Sequence, residues 1–381
     1  MAYLNTHEKH FSEEVEMINF LEEQDKNDIR SINYIDEGKI INISDESPSL
    51  DATTIATTFD MNLDSDTERA IEECVGGLSC IWKGPVNGVM RSVPISDIAL
   101  DSLCGRAGVY GPAIKMQPTI LNKGMRLKSR TEENKQKVLI RSGSLLAAHS
   151  NKYQWLLQGE LMRANQSIFG AEIGSYEFKE GAYSDEVTYV KYLFPSKEKE
   201  ILDRYNTKAA AKGEKMAKKL TPAIIFTTSD TTRSGANLYS AIVTDKGETI
   251  RLGSQLSLAH KDGHTITDYV NNCSEMLNIL KDSTKRLEAL LDIEIRYPEI
   301  CFENLVKAYS LSGSTANQVY EDFTIRRSAT VTAHTLYWEL WNIATIESSK
   351  GASASKLLDI EEKLARVLFA DFKKYDTPMT A

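Results

Sequence analysis

Cysteine is sparse in this chain and histidine nearly as scarce, with five Cys and six His in 381 residues. Cys74, Cys80, Cys104, Cys273 and Cys301 are odd in number and widely spaced. That excludes the dense, paired framework of a small extracellular scaffold and reads as reduced thiols. No stretch approaches the roughly eighteen uncharged apolar residues of a membrane span. The opening MAYLNTHEKHFSEE has no basic segment followed by an apolar one, as a secretory leader would. The expectation is a cytoplasmic protein without a membrane partner. Catalytic signatures are missing as well: no GxSxG, no GxGxxG, no GxxxxGK[ST], and no set of Ser, His and Asp that assembles a triad. No repeat with a period of roughly 20–50 residues is visible. A non-enzymatic protein without a cofactor is the reading that follows.

What the chain does have is an uneven charge. The formal net charge is −9, from 45 Lys+Arg and 54 Asp+Glu. Residues 1–70 hold seventeen acids and five bases, a net −12, so the rest carries +3. Within it, residues 115–220 hold twenty bases and twelve acids, a local +8. The bases fall in two clusters, Lys123, Arg126, Lys128, Arg130, Lys135 and Lys137, then Lys208, Lys212, Lys215, Lys218 and Lys219. Charge separated in this way marks a surface for phosphate or for an acidic partner, where it is not simply a solvated face.

Periodicity gives the fold class. Phe11, Val15, Ile18 and Leu21 recur at helical spacing among Glu13, Glu14, Glu16, Glu22 and Glu23, which predicts an amphipathic helix. Residues 44–68, rich in Ser, Thr and Asp, read as a loop or linker. Residues 1–70 are therefore expected to form an acidic N-terminal helix and linker that docks on the main body. Val138–Ile140 and Leu145–Ala147 flank Arg141-Ser142-Gly143-Ser144, a hairpin pattern. Val187–Phe194, Ala223–Thr228, Leu238–Thr244 and Thr249–Leu252 are further strands, and their short connections favour antiparallel pairing. The last third is helical. Thr265-x-x-Asp268 resembles a capping box ahead of Cys273, Met276, Leu280, Leu287 and Leu291. Thr330–Ile346 and the stripe Leu357, Ile360, Leu364, Leu368 and Phe372 predict two more helices. The sum is α+β, a mostly antiparallel sheet in the middle of the chain with helices at both ends. The expected domains are 1–70, a mixed core over 71–264 and a helical region over 265–381.

Three features invite a chemical reading. His260-Lys-Asp-Gly-His264 spaces two imidazoles four apart, as in zinc sites, but Gly263 lies between them and argues for a turn, so His260 and His264 are weak metal candidates and no metal is expected. Gly105, Gly108 and Gly111 recur every third residue, a pattern that lets backbone amides approach phosphate or that simply makes a tight connection. Finally, Lys152-Tyr153-Gln154-Trp155, Tyr189–Tyr192 and Tyr205 interleave with the basic clusters. Cations that track phosphates beside rings that stack on bases are the grip of single-stranded nucleic acid. Aromatics at period two are also ordinary strand residues.

The stretch Val138-Leu-Ile-Arg141-Ser-Gly-Ser-Leu145-Leu-Ala-Ala-His149-Ser150-Asn-Lys-Tyr153 resembles the R-x-G … S-x-x-Y pattern of the phage/plasmid-like protein family, domain of unknown function 932. Leu220-Thr-Pro222, Ser229, Gly235 and Leu238-Tyr239 resemble its following strand pair, and Ser257-Leu-Ala-His260-Lys-Asp-Gly263 its downstream turn. The resemblance covers about residues 138–264. It implies a phage or plasmid origin, hence a host-cell cytoplasm, and no transferable catalytic set. The leading expectation is a mobile-element protein that binds nucleic acid, single strands favoured, through Arg126, Lys128, Arg130, Lys152, Tyr153, Lys215, Lys218 and Lys219. The alternative is a protein-interaction module that engages a host or virion protein through the acidic residues 1–70. Monomer, dimer and ring all fit the sequence.

Overall fold

The computed structural model describes residues 8–43, 50–76, 80–111, 117–173, 175–214, 216–231, 234–311, 313–326, 331–352 and 354–378. The first half runs β1 (Lys9–Phe11), α1 (Glu14–Asn27), β2 (Ile29–Tyr34), β3 (Lys39–Ile41), α2 (Ala52–Thr58), α3 (Ser65–Cys74), β4 (Ile81–Val86), β5 (Val89–Pro94), α4 (Asp97–Ala107), α5 (Pro118–Arg126), β6 (Lys135–Arg141), β7 (Ser144–Ser150) and α6 (Gln158–Ile173). It continues with β8 (Glu177–Tyr183), β9 (Thr188–Leu193), α7 (Glu198–Ala211), β10 (Leu220–Thr228), β11 (Ala236–Thr244) and β12 (Thr249–Leu258). The C-terminal part holds α8 (Ile266–Ala289), β13 (Glu294–Ile295), α9 (Pro298–Ala308), α10 (Gly313–Arg326), β14 (Val331–Thr332), α11 (Ala333–Ser349), α12 (Ala354–Val367) and α13 (Phe372–Tyr375). The protein is α+β, and every strand pairing within its sheets is antiparallel. No helix among the described residues is long and apolar enough to cross a membrane.

The main sheet has six strands in the order β1-β8-β9-β10-β11-β12. Its middle strands β10 and β11 are buried at every position, as their unbroken apolar and Thr-rich runs demand. On one face Val190, Tyr192, Ile224, Phe226 and Leu238 meet Phe169 of α6 and Tyr269, Cys273 and Met276 of α8. A second core joins Ile242, Ile250 and Leu252 to the C-terminal helices through Phe302, Leu336, Leu340 and Leu364. Two three-stranded sheets, β2-β6-β7 and β3-β4-β5, share a third core with α4 and α5 around Trp82, Leu100, Leu103 and Val138.

The hairpin, the strands after it and the capping box form as the sequence predicts. Ser142 and Gly143 take φ of 51° and 77° at the β6–β7 turn, the pair of positive values that matches strand twist in a two-residue hairpin. The Thr265 hydroxyl accepts from the Asp268 amide, and the Asp268 carboxylate accepts from the Thr265 amide. Three expectations are corrected. Residues 1–70 are not an appendage: β1 pairs with β8, β2 with β6 and β3 with β4, so this stretch supplies a strand to each of the three larger sheets. The expected linker carries α2 and α3, because Asp51 and Asp64 cap their first turns by accepting from Thr54 and Thr67; residues 44–49 lie outside the described residues. In α1 the buried side chains are Met17, Ile18 and Leu21, whereas Phe11 belongs to β1 and Val15 is exposed.

Candidate functional site

The register of β2 against β6 pairs Ile29 with Ile140, which sets Asp28 beside Arg141 at one end of that sheet. The Arg141 guanidinium donates from Nε and Nη2 to the Asp28 carboxylate at 2.8 and 2.6 Å, a bidentate pair. Its Nη2 also donates to Asp230, just past the end of β10, at 2.7 Å, and Nη1 to the Tyr183 hydroxyl at 2.9 Å. Asp230 accepts in turn from Gln158 Nε2 at 2.6 Å, and the Thr188 hydroxyl donates to the other end of that amide. Arg30 adds bonds to Asp25 at 3.0 Å and Asp28 at 2.9 Å, while the Gly159 amide donates to Asp25. Three carboxylates and two guanidiniums thus tie β2, β6, α6 and the end of β10 together.

Burial and like charge govern their protonation. Desolvation, then the Asp230 charge, push the Asp25 carboxyl up to about 6. Desolvation also raises Asp28, against the pull of Arg141. For Arg141 burial opposes the charge, but the hydrogen bond to Asp28 and the charge of Asp230 outweigh it and hold the guanidinium ionised.

Beside this network three rings stack. His149 and Tyr153 lie 3.7 Å apart and 5° from parallel, Tyr153 and His260 5.1 Å apart and 3° from parallel, and the Trp155 edge meets Tyr153 at 5.0 Å. Burial pushes the His149 imidazole down to about 3 and lowers His260, so both rings are neutral at pH 7. His260 Nε2 is 3.3 Å from the Thr228 hydroxyl and Nδ1 3.2 Å from the Gln154 carbonyl.

Chemically this is a closed ion-pair junction in which most polar groups are bonded, although Arg30 Nε and His149 Nε2 have no hydrogen-bond partner among the described residues. Asp25, Asp28 and Asp230 bring ligand atoms within 4.8 Å of one another and are the set among the described residues able to hold a cation. Arg30 and Arg141 already neutralise two of those three charges, which argues against a divalent ion there. On the outer side Arg141 forms part of the wall of a cleft of about 900 Å³ shared with Lys9, Phe20, Glu23, Arg69 and Gly143. Arg69 reaches across from α3 and donates to the Gly143 carbonyl at 3.0 Å.

The basic residues do not converge on one groove. Tyr153 is 4% exposed with both ring faces covered by histidines, so no base can stack on it. Arg130 is held by Asp36 at 2.9 Å and Glu37 at 3.6 Å. Lys208 and Lys212 pair with Asp292. Lys215 lies outside the described residues. Lys218 and Lys219 are exposed just before Leu220, at the far end of β10 from Thr228, which is about 26 Å of strand away at ~3.3 Å per residue. Lys152 is exposed at the turn after β7, where its carbonyl accepts from the Asp262 amide.

Arg126 and Lys128 fare differently. Lys123 and Arg126 are exposed one turn apart on α5, and the half-buried Lys128 follows just past its end; none of the three makes an ion pair among the described residues. Gly124 admits the Val109 side chain against its backbone, where a Cβ would come within 2.6 Å, and so seats Tyr110 beside that helix. Tyr110 is 75% and Leu127 85% exposed. The Gly105–Gly111 run makes no phosphate cradle. Gly108 is the left-handed C-cap of α4 at φ 75°, where a helix presents carbonyls, and the Lys128 ammonium approaches it. His264 Nδ1 is 2.7 Å from the Ala259 carbonyl, and Gly263 at φ 87° puts the two histidines on a turn rather than on one helix face.

Comparison with protein-family models, curated proteins and solved structures finds no match to this chain. Arg141, His149, Tyr153, Ser229 and His260 all belong to the junction, where the Tyr153 hydroxyl is 3.4 Å from the Ser229 carbonyl. Asp25, Asp28, Asp230 and Gln158 were not singled out from sequence, because no spacing announces an acid whose partner is a hundred residues away.

Proposed function

We propose that this is a non-enzymatic protein that binds nucleic acid, single strands favoured, through the exposed face of α5 and the adjoining end of α4. The observation that carries the reading is the set Lys123, Arg126 and Lys128, three cations with no ion-pair partner among the described residues, beside the exposed ring of Tyr110. Free cations neutralise phosphates, and an exposed ring stacks on a base. This patch replaces the broader surface expected from sequence. The mobile-element origin implied by the resemblance, and a cytoplasmic setting in keeping with five buried cysteines outside any disulfide, belong to the same proposal.

The alternative surface, the acidic residues 1–70, has less to offer a partner. Glu14 bonds Tyr176, Glu22 bonds Arg163, Asp36 bonds Arg130, and Asp25 and Asp28 are inside the junction. The exposed Leu127 and Ile120 on α5 favour protein docking on the same patch as the only second reading.

Fluorescence anisotropy with a labelled single strand at increasing salt tests the proposal. Three phosphate contacts give a log–log slope of about −2, an affinity loss of about 20-fold between roughly 50 and 200 mM salt. Replacing Lys123, Arg126 and Lys128 together with glutamine flattens that slope, and Tyr110→Ala weakens binding by about 1–3 kcal/mol. No binding at the lower salt, or a slope that the triple variant leaves unchanged, refutes it.

A further inference from the structure

On the other face of the main sheet Arg251 is fully buried, at 0% exposure. It stands opposite Ala241 in the β11–β12 ladder, with its guanidinium 4.0 Å over the Tyr239 ring. Its charged partner is Glu361 of α12, 3.0 Å from Nε as an ion pair, and none of the three guanidinium nitrogens makes a hydrogen bond among the described residues. A buried guanidinium with donors left over is costly, and such groups ordinarily have an oxygen to bond.

Glu361 also lines a pocket of about 320 Å³. Its other walls include Trp338 and Trp341 of α11, Tyr189 and Lys191 of β9, and Lys246 from the β11–β12 turn. Lys191 is nearly buried and paired at 2.5 Å with Glu180, whose own side chain is half exposed. Glu361 therefore stands between an aromatic-walled pocket and a guanidinium that it satisfies only in part. Burial raises its pKa even though Arg251 and Lys191 both pull it down. The carboxylate pairs with Arg251 at one nitrogen, on a helix that carries Asp359 and Glu362 beside it.

We propose that this pocket binds a small organic anion on a flat apolar body, whose charged group takes the place of Glu361 against Arg251 and Lys191 while its ring lies against Trp338 and Trp341. The volume sits at the lower end of small-molecule pockets, which suits a single ring with one acidic substituent and excludes a polymer. A bidentate carboxylate or phosphate matches the fork of the guanidinium better than the one-sided contact of Glu361.

Tryptophan fluorescence and calorimetric titration of the full chain with benzoate, phenyl phosphate and the neutral isostere benzamide test this. At least one of the two anions is expected to bind saturably with an affinity on the order of 1 mM, and benzamide about tenfold more weakly or not at all. Lys191→Met is expected to weaken anion binding about tenfold. Glu361→Gln, which removes the competing carboxylate and keeps its shape, is expected to tighten it about tenfold, a change that a merely structural Glu361 would not produce. Trp338→Phe should diminish the fluorescence response without abolishing the calorimetric one. If neither anion binds, if benzamide binds equally well, or if folded Lys191→Met binds the anions as the wild type does, the proposal is overturned. Should Glu361→Gln fail to fold, the Lys191→Met and benzamide comparisons decide alone.

Discussion

Replacing Asp25 with asparagine is expected to stabilise the fold at neutral pH, although Asp25 takes part in an ion pair. Its side chain is almost fully buried, with the Arg30 guanidinium 3.0 Å away and Asp28 and Asp230 close by. Desolvation, then the charge of Asp230, raise its pKa from 3.8 to about 6. The folded state therefore holds a proton there more tightly than the unfolded chain. The charged carboxylate costs about 3 kcal/mol above pH ~6, at about 1.36 kcal/mol per pKa unit, and that cost disappears as pH falls from about 6 to below 4. Asparagine carries no charge and still accepts from the Gly159 amide. The attraction of Arg30 is already part of that net shift, and Arg30 keeps Asp28 and the Asp25 carbonyl, but the asparagine NH2 group must be buried, at about 1–2 kcal/mol. The balance is a gain of about 1–2 kcal/mol at pH ~7.5 that shrinks to nothing, or reverses, near pH ~4.5. Urea unfolding of both proteins across that range measures it as a shift in midpoint at constant slope. A variant less stable at neutral pH, by an amount that does not change on acidification, would refute the reasoning. Asp25 would then act chiefly as the counter-ion of Arg30.

Two further predictions concern the same end of the molecule. Arg141→Met leaves Asp28 and Asp230 buried with Arg30 as the one guanidinium near them, and is expected to cost about 3–5 kcal/mol, seen as a lower urea midpoint that partly recovers on acidification. Ser142 adopts φ 51° in a two-residue turn followed by Gly143; Ser142→Asn is expected to raise stability by about 0.5 kcal/mol, because asparagine tolerates that conformation better, and an unchanged or lowered midpoint would contradict this.

Much of the secondary structure was legible because its signals are local. The alternation and β-branching of Thr188–Leu193, the Ser142-Gly143 turn and the Thr265–Asp268 box each depend on neighbours within a few residues. The N-terminal linker reading failed for an equally local reason. Asp and Thr open loops and cap helices alike, and only the bonds from Asp51 and Asp64 to amides three residues on distinguish the two. Tyr153 misled because an aromatic beside a lysine looks the same whether its faces meet bases or, as here, His149 and His260.

The chain by itself determined the α+β class, the antiparallel strands around the β6–β7 hairpin, and the unequal distribution of charge. Tertiary structure decided what that charge does. Arg141 meets Asp28 across 113 positions and Asp230 across 89, and Arg130 meets Asp36 across 94. Those meetings take Asp28 and Asp36 of the acidic front end and Arg130 and Arg141 of the basic middle into the fold, and they leave Lys123 and Arg126 exposed. Composition counts charges without regard to neighbours. Whether a charge is neutralised, buried or free is set by strand register between segments far apart in sequence, which no local pattern encodes.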